Sequence, residues 1–378
     1  MIIGVLKEQQ PEKRVSLVPE VVAALVKMNV QVSVENGAGE AAYHTDKAYT
    51  DAGATLKGRD AVAAEADILL SIHSDNIPAS IKKDAVVIGV FQPLFDTQKM
   101  QDFAGKGYTV FSMDTIPRTT RAQAMDVLSS QANIAGYKAV LLAAMEYCRY
   151  FPMFMTAAGS IPPAKVLILG AGVAGLQAIA TAKRLGAVVE VFDVRPAVKE
   201  EVMSLGAKFV EVEGAADASK AGGYAVMQTE EFQAKQRAKI HEHAKKSDII
   251  ITTAQIPGRK APILITQAMI EDMRPGSVIV DIASVTGGNT DLTKDNEKIN
   301  HKGVTIIGNS ALPCEMASDA SKVYSKNVLN FLKLVIDKEG ALNLNYEDDI
   351  VAGTCIAKDG KIVNERVLSI INPQTTNA

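Results

Sequence analysis

Three glycines and an acidic residue are the part of this sequence that most clearly predicts chemistry. Gly170, Gly172 and Gly175 stand in G-x-G-x-x-G spacing directly after an apolar run, and a helical pattern follows them. In this pattern the first glycine permits a tight turn. The second lets the backbone approach a pyrophosphate, and the third lets the helix pack closely on the strand. Because the helix N-terminus offers N–H groups and a positive dipole end to phosphates, the sequence predicts a dinucleotide site.

Asp193 indicates which dinucleotide this site binds. It ends the next apolar run, about twenty residues after the glycines, where a carboxylate can accept hydrogen bonds from an adenosine ribose. A 2′-phosphate carries about −1.5 to −2 charges, and a carboxylate repels it. We therefore expect NAD(H) rather than NADP(H), although Arg195 is of the type that accommodates a 2′-phosphate. The alternative, in which the glycines serve helix packing alone, leaves Asp193 without a role.

The elements that position this motif follow the alternation of a parallel α/β sheet. Apolar runs at 166–169 and 188–192 predict buried strands, and Gly186 ends the helix between them. A helix at 197–205 and strands at 207–212, 248–252, 277–282 and 304–307 continue the pattern. The carboxyl ends of such strands face the ligand, which places four residues near the cofactor: Ala254, Gln255, Ala283 and Asn309.

The first part of the chain predicts a second α/β domain, which lacks phosphate-binding glycines. Strands are expected at 2–5, 30–34, 68–72, 86–90 and 109–113, with helices at 19–28, 45–52 and 98–105. The predicted fold is α/β, with two doubly wound Rossmann-like domains joined by long helices and a nucleotide cleft between them. The predicted boundaries are 1–125 plus 335–378 for the first domain, 150–317 for the NAD(H)-binding domain, and 126–149 and 318–334 for the linking helices.

Composition excludes several classes of protein. The chain has 378 residues and a net charge of −3, which gives no reason to expect a nucleic-acid partner. Cys148, Cys314 and Cys355 are scattered without metal-ligand spacing, which favours a reducing cytoplasm and predicts no metal. The N-terminus does not resemble a signal peptide, and no apolar run approaches the roughly 18 residues of a membrane span.

An irregular stretch at 214–230 interrupts the alternation of strands and helices. It is small and polar around Gly222, Gly223 and Tyr224. Such an insertion is either a functional lid or a disordered excursion. An aromatic residue beside two glycines favours a lid that closes over a bound nucleotide.

Several motifs together resemble one family, the NAD(H)-binding alpha subunit of proton-translocating nicotinamide nucleotide transhydrogenase. They are IGVLKE…EKRVSLVPE (shared with alanine dehydrogenases), PRTTRAQAMDVLSSQANIAGYKAV, the glycine segment with VFDVR, AGGYA, TTAQIPG and SDASKVYSKNVLNFL. The resemblance implies hydride transfer from NADH to NADP+ held on a partner subunit, coupled to proton translocation. It also implies a homodimer that joins membrane-embedded and NADP(H)-binding subunits. Since the chain ends at Ala378, we expect the split type, cytoplasmic and peripheral on the inner membrane through its partners.

The resemblance also assigns residues. It implies that Arg118, Gln123 and Asp126 form the catalytic loop at the nicotinamide end, where Gln123 places the dihydronicotinamide. The other positions it implies for cofactor binding are Arg121, Ser129, Gly170, Gly172, Val173, Gly175, Asp193, Val194, Arg195, Gly223, Tyr224, Gln236 and Gln255. Without the resemblance, Arg118 and Arg121 are equally explained as solvated loop charges, and Asp126 as the start of a helix.

Two other functions remain open from the sequence. Alanine dehydrogenases use a Lys and a His in the first domain for proton transfer. The stretch that matches the Lys position, DILLSIHSDNIP, has no Lys, and the stretch that matches the His position, VVIGVFQPL, has no His. His73 is the nearest candidate, and Gln92 stands near the expected His. The third possibility is a non-catalytic NAD(H)-sensing module. Hydride exchange between two nicotinamides needs position and exclusion of water rather than a protein acid or base, so no catalytic histidine is predicted.

Overall fold

The computed structural model describes residues 1–212, 214, 229–256 and 258–372, and it divides into two compact units. The first unit comprises Met1–Gln131 and Cys314–Ala378, and the second comprises Ala132–Pro313. Each unit is built on a largely parallel sheet with helices along its connections. This architecture is the α/β class that the alternation of apolar runs and helical patterns predicts.

The strands of the described residues alternate with the helices along most of the chain. Numbered along the chain, the strands are β1 (Ile2–Val5), β2 (Gln31–Glu35), β3 (Thr55–Lys57), β4 (Ile68–Leu70), β5 (Val86–Gly89), β6 (Thr109–Ser112), β7 (Phe154–Thr156), β8 (Gly159–Ile161), β9 (Lys165–Leu169), β10 (Val188–Phe192), β11 (Lys208–Phe209), β12 (Ile249–Thr252), β13 (Val278–Asp281), β14 (Glu297–His301), β15 (Val304–Gly308), β16 (Cys355–Lys358) and β17 (Lys361–Ile362). The helices are α1 (Pro19–Val26), α2 (Asp46–Asp51), α3 (Arg59–Glu65), α4 (Thr97–Gly105), α5 (Val127–Glu146), α6 (Val173–Arg184), α7 (Lys199–Ser204), α8 (Glu230–Ala244), α9 (Gln267–Glu271), α10 (Ala317–Val335), α11 (Asp349–Thr354) and α12 (Glu365–Ile371).

Both sheets have the strand order of a doubly wound fold. In the first unit the order is β3-β2-β1-β4-β5-β6-β16-β17, parallel from β3 to β6 and antiparallel at the last two pairs. In the second unit it is β11-β10-β9-β12-β13-β15-β14, with β14 antiparallel. In each sheet the order reverses beside the first strand, at the β1–β4 and β9–β12 pairs. Ligands of such sheets bind at the carboxyl ends of the strands at this reversal.

Burial on both faces explains the continuous apolar runs of the central strands. In β12, Ile249 and Ile251 pack into one core cluster of the second unit, and Ile250 packs into the cluster on the opposite face. In β4 of the first unit, Ile68 and Leu70 similarly face away from Leu69. Because successive side chains of a strand point to opposite faces, a strand covered by helices on both sides needs apolar residues throughout.

The edge strands and a few connections differ from what the sequence predicts. β3 and β14 are short, polar edge strands without an apolar run to signal them, as is common where a strand has one open side. The strand expected at 207–212 is limited to Lys208–Phe209, and the helix expected at 197–205 is a 3₁₀ turn at Pro196–Val198 followed by α7. The stretch at 150–163, for which the sequence predicts no strand, contains the hairpin β7–β8.

Candidate functional site

The three glycines occupy three different environments at the end of β9 in the second unit. Gly170 has φ +106°, in the left-handed region, and a Cβ there would lie 2.5 Å from Thr253 Oγ1. A Cβ on Gly175 would lie 1.9 Å from the Gly170 carbonyl oxygen. Around Gly172 a Cβ would meet no heavy atom of the described residues within 4 Å. The turn therefore needs glycine at position 170 for its backbone conformation and at position 175 for close packing. At Gly172 it leaves open space.

This open space lies at the start of α6. Gly172 is the N-cap residue, with no side chain to cover the N–H groups of the first turn. The N-terminus of a helix concentrates N–H donors and the positive end of the dipole, which suits a phosphate or pyrophosphate. The residues of this turn therefore fit a dinucleotide, whose phosphates would occupy the space beside Gly172.

Asp193 follows β10 directly, and its carboxylate spans the glycine turn and the next loop. It accepts hydrogen bonds from the backbone N–H of Ala171 at 2.7 Å and from that of Arg195 at 2.8 Å. The Arg195 guanidinium also donates to both carboxylate oxygens, at 2.9 and 2.8 Å. The Asp193 side chain is only 7% exposed. Asp193 is thus held beside the glycine turn. Its charge is partly neutralised by Arg195, the residue of the type that accommodates a 2′-phosphate.

The other predicted residues of the second unit lie on two helices and two connecting segments. Val173 begins α6 and is exposed, while Val194 is partly buried against the core. Gln255 is exposed in the segment after β12. Gln236 lies on α8 between Phe232 and Ile240, on the buried face of that helix. Gly223 and Tyr224, with the lid proposed around them, lie outside the described residues.

Asp281 and Asn289 are two buried polar residues near this site that no sequence motif singled out. Asp281 ends β13, and Asn289 contacts the segment after β12. The sequence does carry a signal for both residues. The buried strand β13 ends in the acid Asp281, and the small polar run Gly287-Gly288-Asn289 follows it.

The predicted nicotinamide loop lies in the first unit, between β6 and α5. Asp126 directly precedes α5 and accepts hydrogen bonds from the Ser129 N–H at 2.9 Å and its hydroxyl at 2.6 Å. This is the helix-start geometry that the sequence offers as an alternative. Arg118 and Gln123 are exposed on the loop. Asp126 and Ser129 are therefore already paired with each other in the first unit.

Arg121 is engaged within the first unit as well. Its guanidinium binds both oxygens of Asp348, at 2.6 and 2.8 Å, and also contacts Asp349. Asp348 caps α11 by accepting from the Ile350 and Val351 N–H groups. Arg121 thus ties the loop to the start of α11, and its role in cofactor binding stays a prediction.

Two family models cover nearly all of this chain. Residues 4–135 match the model described as alanine dehydrogenase/PNT, N-terminal domain, and residues 139–365 match alanine dehydrogenase/PNT, C-terminal domain. The chain belongs to this family. The boundary between the two matched regions falls within α5, in which the division between the two structural units also lies.

Individual relatives separate the two branches of the family. An NAD(P) transhydrogenase subunit alpha protein of Rhodospirillum rubrum is 46% identical, with 96% of this chain and 98% of the relative covered. A solved structure of transhydrogenase from Sinorhizobium meliloti matches with a TM-score of 0.88 at 45% identity, covering 96% of this chain and all of the other. Alanine dehydrogenase of Staphylococcus epidermidis is 27% identical, with all of this chain and 98% of the relative covered. The chain is therefore a member of the transhydrogenase alpha-subunit branch, and alanine dehydrogenase is the more distant relative.

A polar cluster around the buried carboxylate of Glu12 lies in the part of the first unit where the family resemblance places the proton-transfer groups of alanine dehydrogenases. The Arg14 guanidinium donates to both oxygens of Glu12, at 2.9 and 2.6 Å, and to Gln131 at 2.8 Å. His73 Nε2 lies 2.9 Å from Glu12 Oε2. Burial alone would raise the pKa of Glu12, but hydrogen bonds from Arg14 and His73 outweigh it and hold that pKa well below its ordinary value. His73 is thus paired with Glu12 through Nε2, while about half of its side chain stays exposed.

The Glu12 carboxylate makes the stability of the first unit depend on pH. Its folded pKa is depressed below the ordinary value of 4.5, so its contribution is fully present above about pH 4.5 and is lost as the pH falls toward the folded pKa. We expect Glu12→Gln to lower the free energy of unfolding by about 3 kcal/mol at pH 7, since it leaves Arg14 without its charge partner. Urea unfolding from pH 8 to pH 3 measures this. The free energies of unfolding of Glu12→Gln and the wild type should differ by a constant amount above about pH 5, and this difference should narrow below about pH 4.5. A difference that widens in acid contradicts the stabilising role of the Glu12 carboxylate.

Among the residues that the structure describes, no group of His, Cys, Asp and Glu side chains is arranged to hold a metal ion. No helix in the same part of the chain is both long and apolar enough to cross a membrane. Cys314 and Cys355 are buried, and burial is the main cause that raises the pKa of each thiol to about 12. These two thiols are therefore protonated at neutral pH and make poor nucleophiles.

Proposed function

We propose that this chain is the NAD(H)-binding component of a proton-translocating transhydrogenase and transfers a hydride from NADH to NADP+ bound on a partner subunit. The observation that carries the proposal is the glycine turn, whose three glycines have the separate physical roles of a pyrophosphate-binding turn and whose Ala171 N–H is bound by Asp193. The names of the relatives support the reaction class.

The chemistry of hydride transfer belongs to the nicotinamide rings, which the bound cofactors supply. The chain's own residues bind and orient. The turn at Gly172 and the start of α6 would hold the pyrophosphate, and Asp193 would accept from the adenosine ribose. Gln123 and Arg118, on the exposed loop of the first unit, would orient the nicotinamide end. Good positioning of this kind supplies much of the rate in a reaction that needs no protein acid or base.

Reconstitution tests the proposed activity. The purified chain is assayed for hydride transfer from NADH to NADP+ alone and after addition of an NADP(H)-binding transhydrogenase component. We expect activity in the mixture and none with the chain alone. NADH binding without activity in either assay would favour the sensing module, and turnover of L-alanine with NAD+ would favour the dehydrogenase. Coupling to proton movement is then measured in vesicles that carry the membrane subunits, through which the chain would associate with the inner membrane.

Asp193 predicts the nucleotide preference. We expect the wild-type chain to bind NADH more tightly than NADPH, because the carboxylate repels a 2′-phosphate. Asp193→Asn removes that charge and the ion pair with Arg195, so NADPH affinity should rise about tenfold relative to NADH. Fluorescence titration of both nucleotides measures this, and Glu200→Gln, which removes an exposed charge on α7, is the matched control. Tighter binding of NADPH than NADH by the wild type contradicts the assignment.

The hairpin β7–β8 supports a homodimer. Phe154 and Met155 of the hairpin are exposed, Met155 by 71%, as is Met153 directly before it. Tyr150 stacks on Phe154 at 4.8 Å between ring centroids. A two-stranded hairpin with apolar side chains and open edges is poorly stable in water unless another surface covers it. A second copy of the chain is the occupant proposed here.

Sedimentation tests this proposal. Met155→Asp should convert a dimer to a monomer at micromolar concentration, because it places a charge in the buried centre of the interface. Met203→Asp, at an exposed position of α7, is the matched control and should remain dimeric. A wild-type chain that sediments as a monomer, or a Met155→Asp variant that stays dimeric, rules out the hairpin as the interface.

A further inference from the structure

Asn289 is fully buried in the second unit, and its side-chain amide forms hydrogen bonds with backbone groups of Ala254 and Pro262. Its Oδ1 accepts from the Ala254 N–H at 3.0 Å. Its Nδ2 donates to the Ala254 carbonyl at 2.8 Å and to the Pro262 carbonyl at 2.9 Å. One side chain thus satisfies both backbone groups of Ala254, as a neighbouring strand would, at the point where β12 has ended.

The position of Asn289 is itself fixed by a buried acid. Its backbone N–H donates to Asp281 Oδ2 at 2.6 Å, and the same carboxylate accepts from Thr293 Oγ1 at 2.7 Å and the Ala283 N–H at 3.0 Å. A Cβ on Gly288 would lie 2.7 Å from Asp281 Oδ2, so the loop can reach the carboxylate only with glycine there. Asn289 is therefore anchored to the end of β13 through several strong contacts.

The segment that Asn289 holds contacts the glycine turn directly. Thr253 Oγ1 donates toward the Gly170 carbonyl at 3.3 Å, and it is the atom that a Cβ on Gly170 would strike. Gln255 follows on the same segment and is exposed. A continuous set of hydrogen bonds therefore runs from Asp281 through Asn289 and the Thr253–Ala254 backbone to the turn proposed to bind pyrophosphate.

We propose that Asn289 is a positioning residue for the nucleotide site. Its amide holds residues 253–256 against the glycine turn, which places Gln255 and keeps the turn in the conformation that accepts phosphates. Asn289 acts through this segment and does not touch the nucleotide. The inference rests on the proposed function, since it assigns a role at the same site.

Asn289→Ala tests the proposal with two separate measurements. Backbone hydrogen exchange without nucleotide should accelerate at residues 253–262, because Ala254 loses both of the hydrogen bonds that the Asn289 side chain makes with its backbone. NADH titration should show affinity weakened about tenfold, and the KM for NADH should rise by a similar factor with kcat little changed. A purely structural loss would instead lower the apparent kcat through less active protein and leave KM unchanged.

Two further variants keep the test decisive. Asn364→Ala is the matched control, because this buried amide holds the Gly353 and Cys355 carbonyls at 3.0 and 3.3 Å in the first unit. It should leave NADH affinity unchanged. Thr253→Val keeps the side-chain volume and removes only the hydroxyl, so it tests the last link if Asn289→Ala fails to fold, and should also weaken NADH binding.

The outcomes separate this inference from the proposed function. If hydrogen exchange at residues 253–262 of Asn289→Ala is faster but its NADH affinity and KM are those of the wild type, the positioning role is overturned. Hydrogen exchange that is unchanged in this variant also overturns it. If Asn289→Ala does not fold, wild-type affinity in Thr253→Val overturns it instead. A wild-type chain that does not bind NADH would contradict the proposed function, and with it the nucleotide role of Asn289, whereas the exchange measurement would still decide whether the amide holds the segment.

Discussion

Gly175→Ala should abolish detectable NADH binding, whereas Gly172→Ala should retain the fold and lose only part of the affinity. The added methyl group at Gly175 would lie 1.9 Å from the Gly170 carbonyl oxygen, which is backbone and cannot rotate away. α6 must shift off β9, and overpacking of this kind costs about 1–3 kcal/mol or more. Because the shift also opens the turn, we expect NADH affinity to fall at least ~100-fold.

Gly172→Ala is the matched control for the fold. No described heavy atom lies within 4 Å of its Cβ position, and its φ of −77° suits any residue. We therefore expect unfolding free energy within about 0.5 kcal/mol of the wild type. NADH should nonetheless bind about tenfold more weakly, because the methyl group enters the space proposed for the pyrophosphate. Equal affinities of Gly172→Ala and the wild type would show that phosphates do not approach this turn.

Gln123→Asn should slow hydride transfer about 100-fold while NADH affinity changes little, because a displacement of about 1 Å at the reacting end costs that much. The structure explains why the loop can place a side chain with this accuracy. Asn327 and Asn330, one turn apart on α10, both donate to the Ala124 carbonyl, at 2.8 and 3.1 Å. The backbone beside Gln123 is therefore fixed. The Gln123→Asn change keeps the amide group and shortens only the distance that the side chain can reach, by one methylene.

Single-turnover kinetics in the reconstituted mixture, together with NADH titration, measures the Gln123 effect. Gln98→Asn, an exposed change of the same type on α4, is the control and should leave both values unchanged. Equal and small effects of Gln123→Asn on rate and affinity would contradict the positioning role and favour the sensing module.

Much of the second unit was predictable because its physical demands are local. β10 lies at its predicted bounds and β9 within one residue of them. The apolar run of β9 is unbroken because this strand is buried on both faces. The spacing of the three glycines also predicts their separate roles, and the structure shows a distinct environment for each. The family and the transhydrogenase branch, indicated by motifs spread over the whole chain, are confirmed by the comparisons.

Other features depend on partners far away in the sequence. Arg121 is an unassigned loop charge until the fold places it on Asp348, 227 residues away. Gly136, within α5, has no local requirement for glycine, yet a Cβ there would lie 2.0 Å from the Ala174 carbonyl oxygen of α6. His73 offers a possible proton-transfer group, and its pairing with Glu12 is visible only in the fold.

The sequence by itself determined the fold class, the position of the glycine turn and the branch of the family, because apolar runs, glycine spacing and motifs act over a few neighbouring residues. Tertiary structure decided which polar side chains are engaged with distant partners: Arg121 with Asp348, His73 with Glu12, and Asn289 with the backbone of Ala254. A buried polar group is stable only with a partner, and chain folding brings that partner from a distant segment. Local spacing therefore predicts where a nucleotide binds, and long-range hydrogen bonds show which segments are held beside the glycine turn.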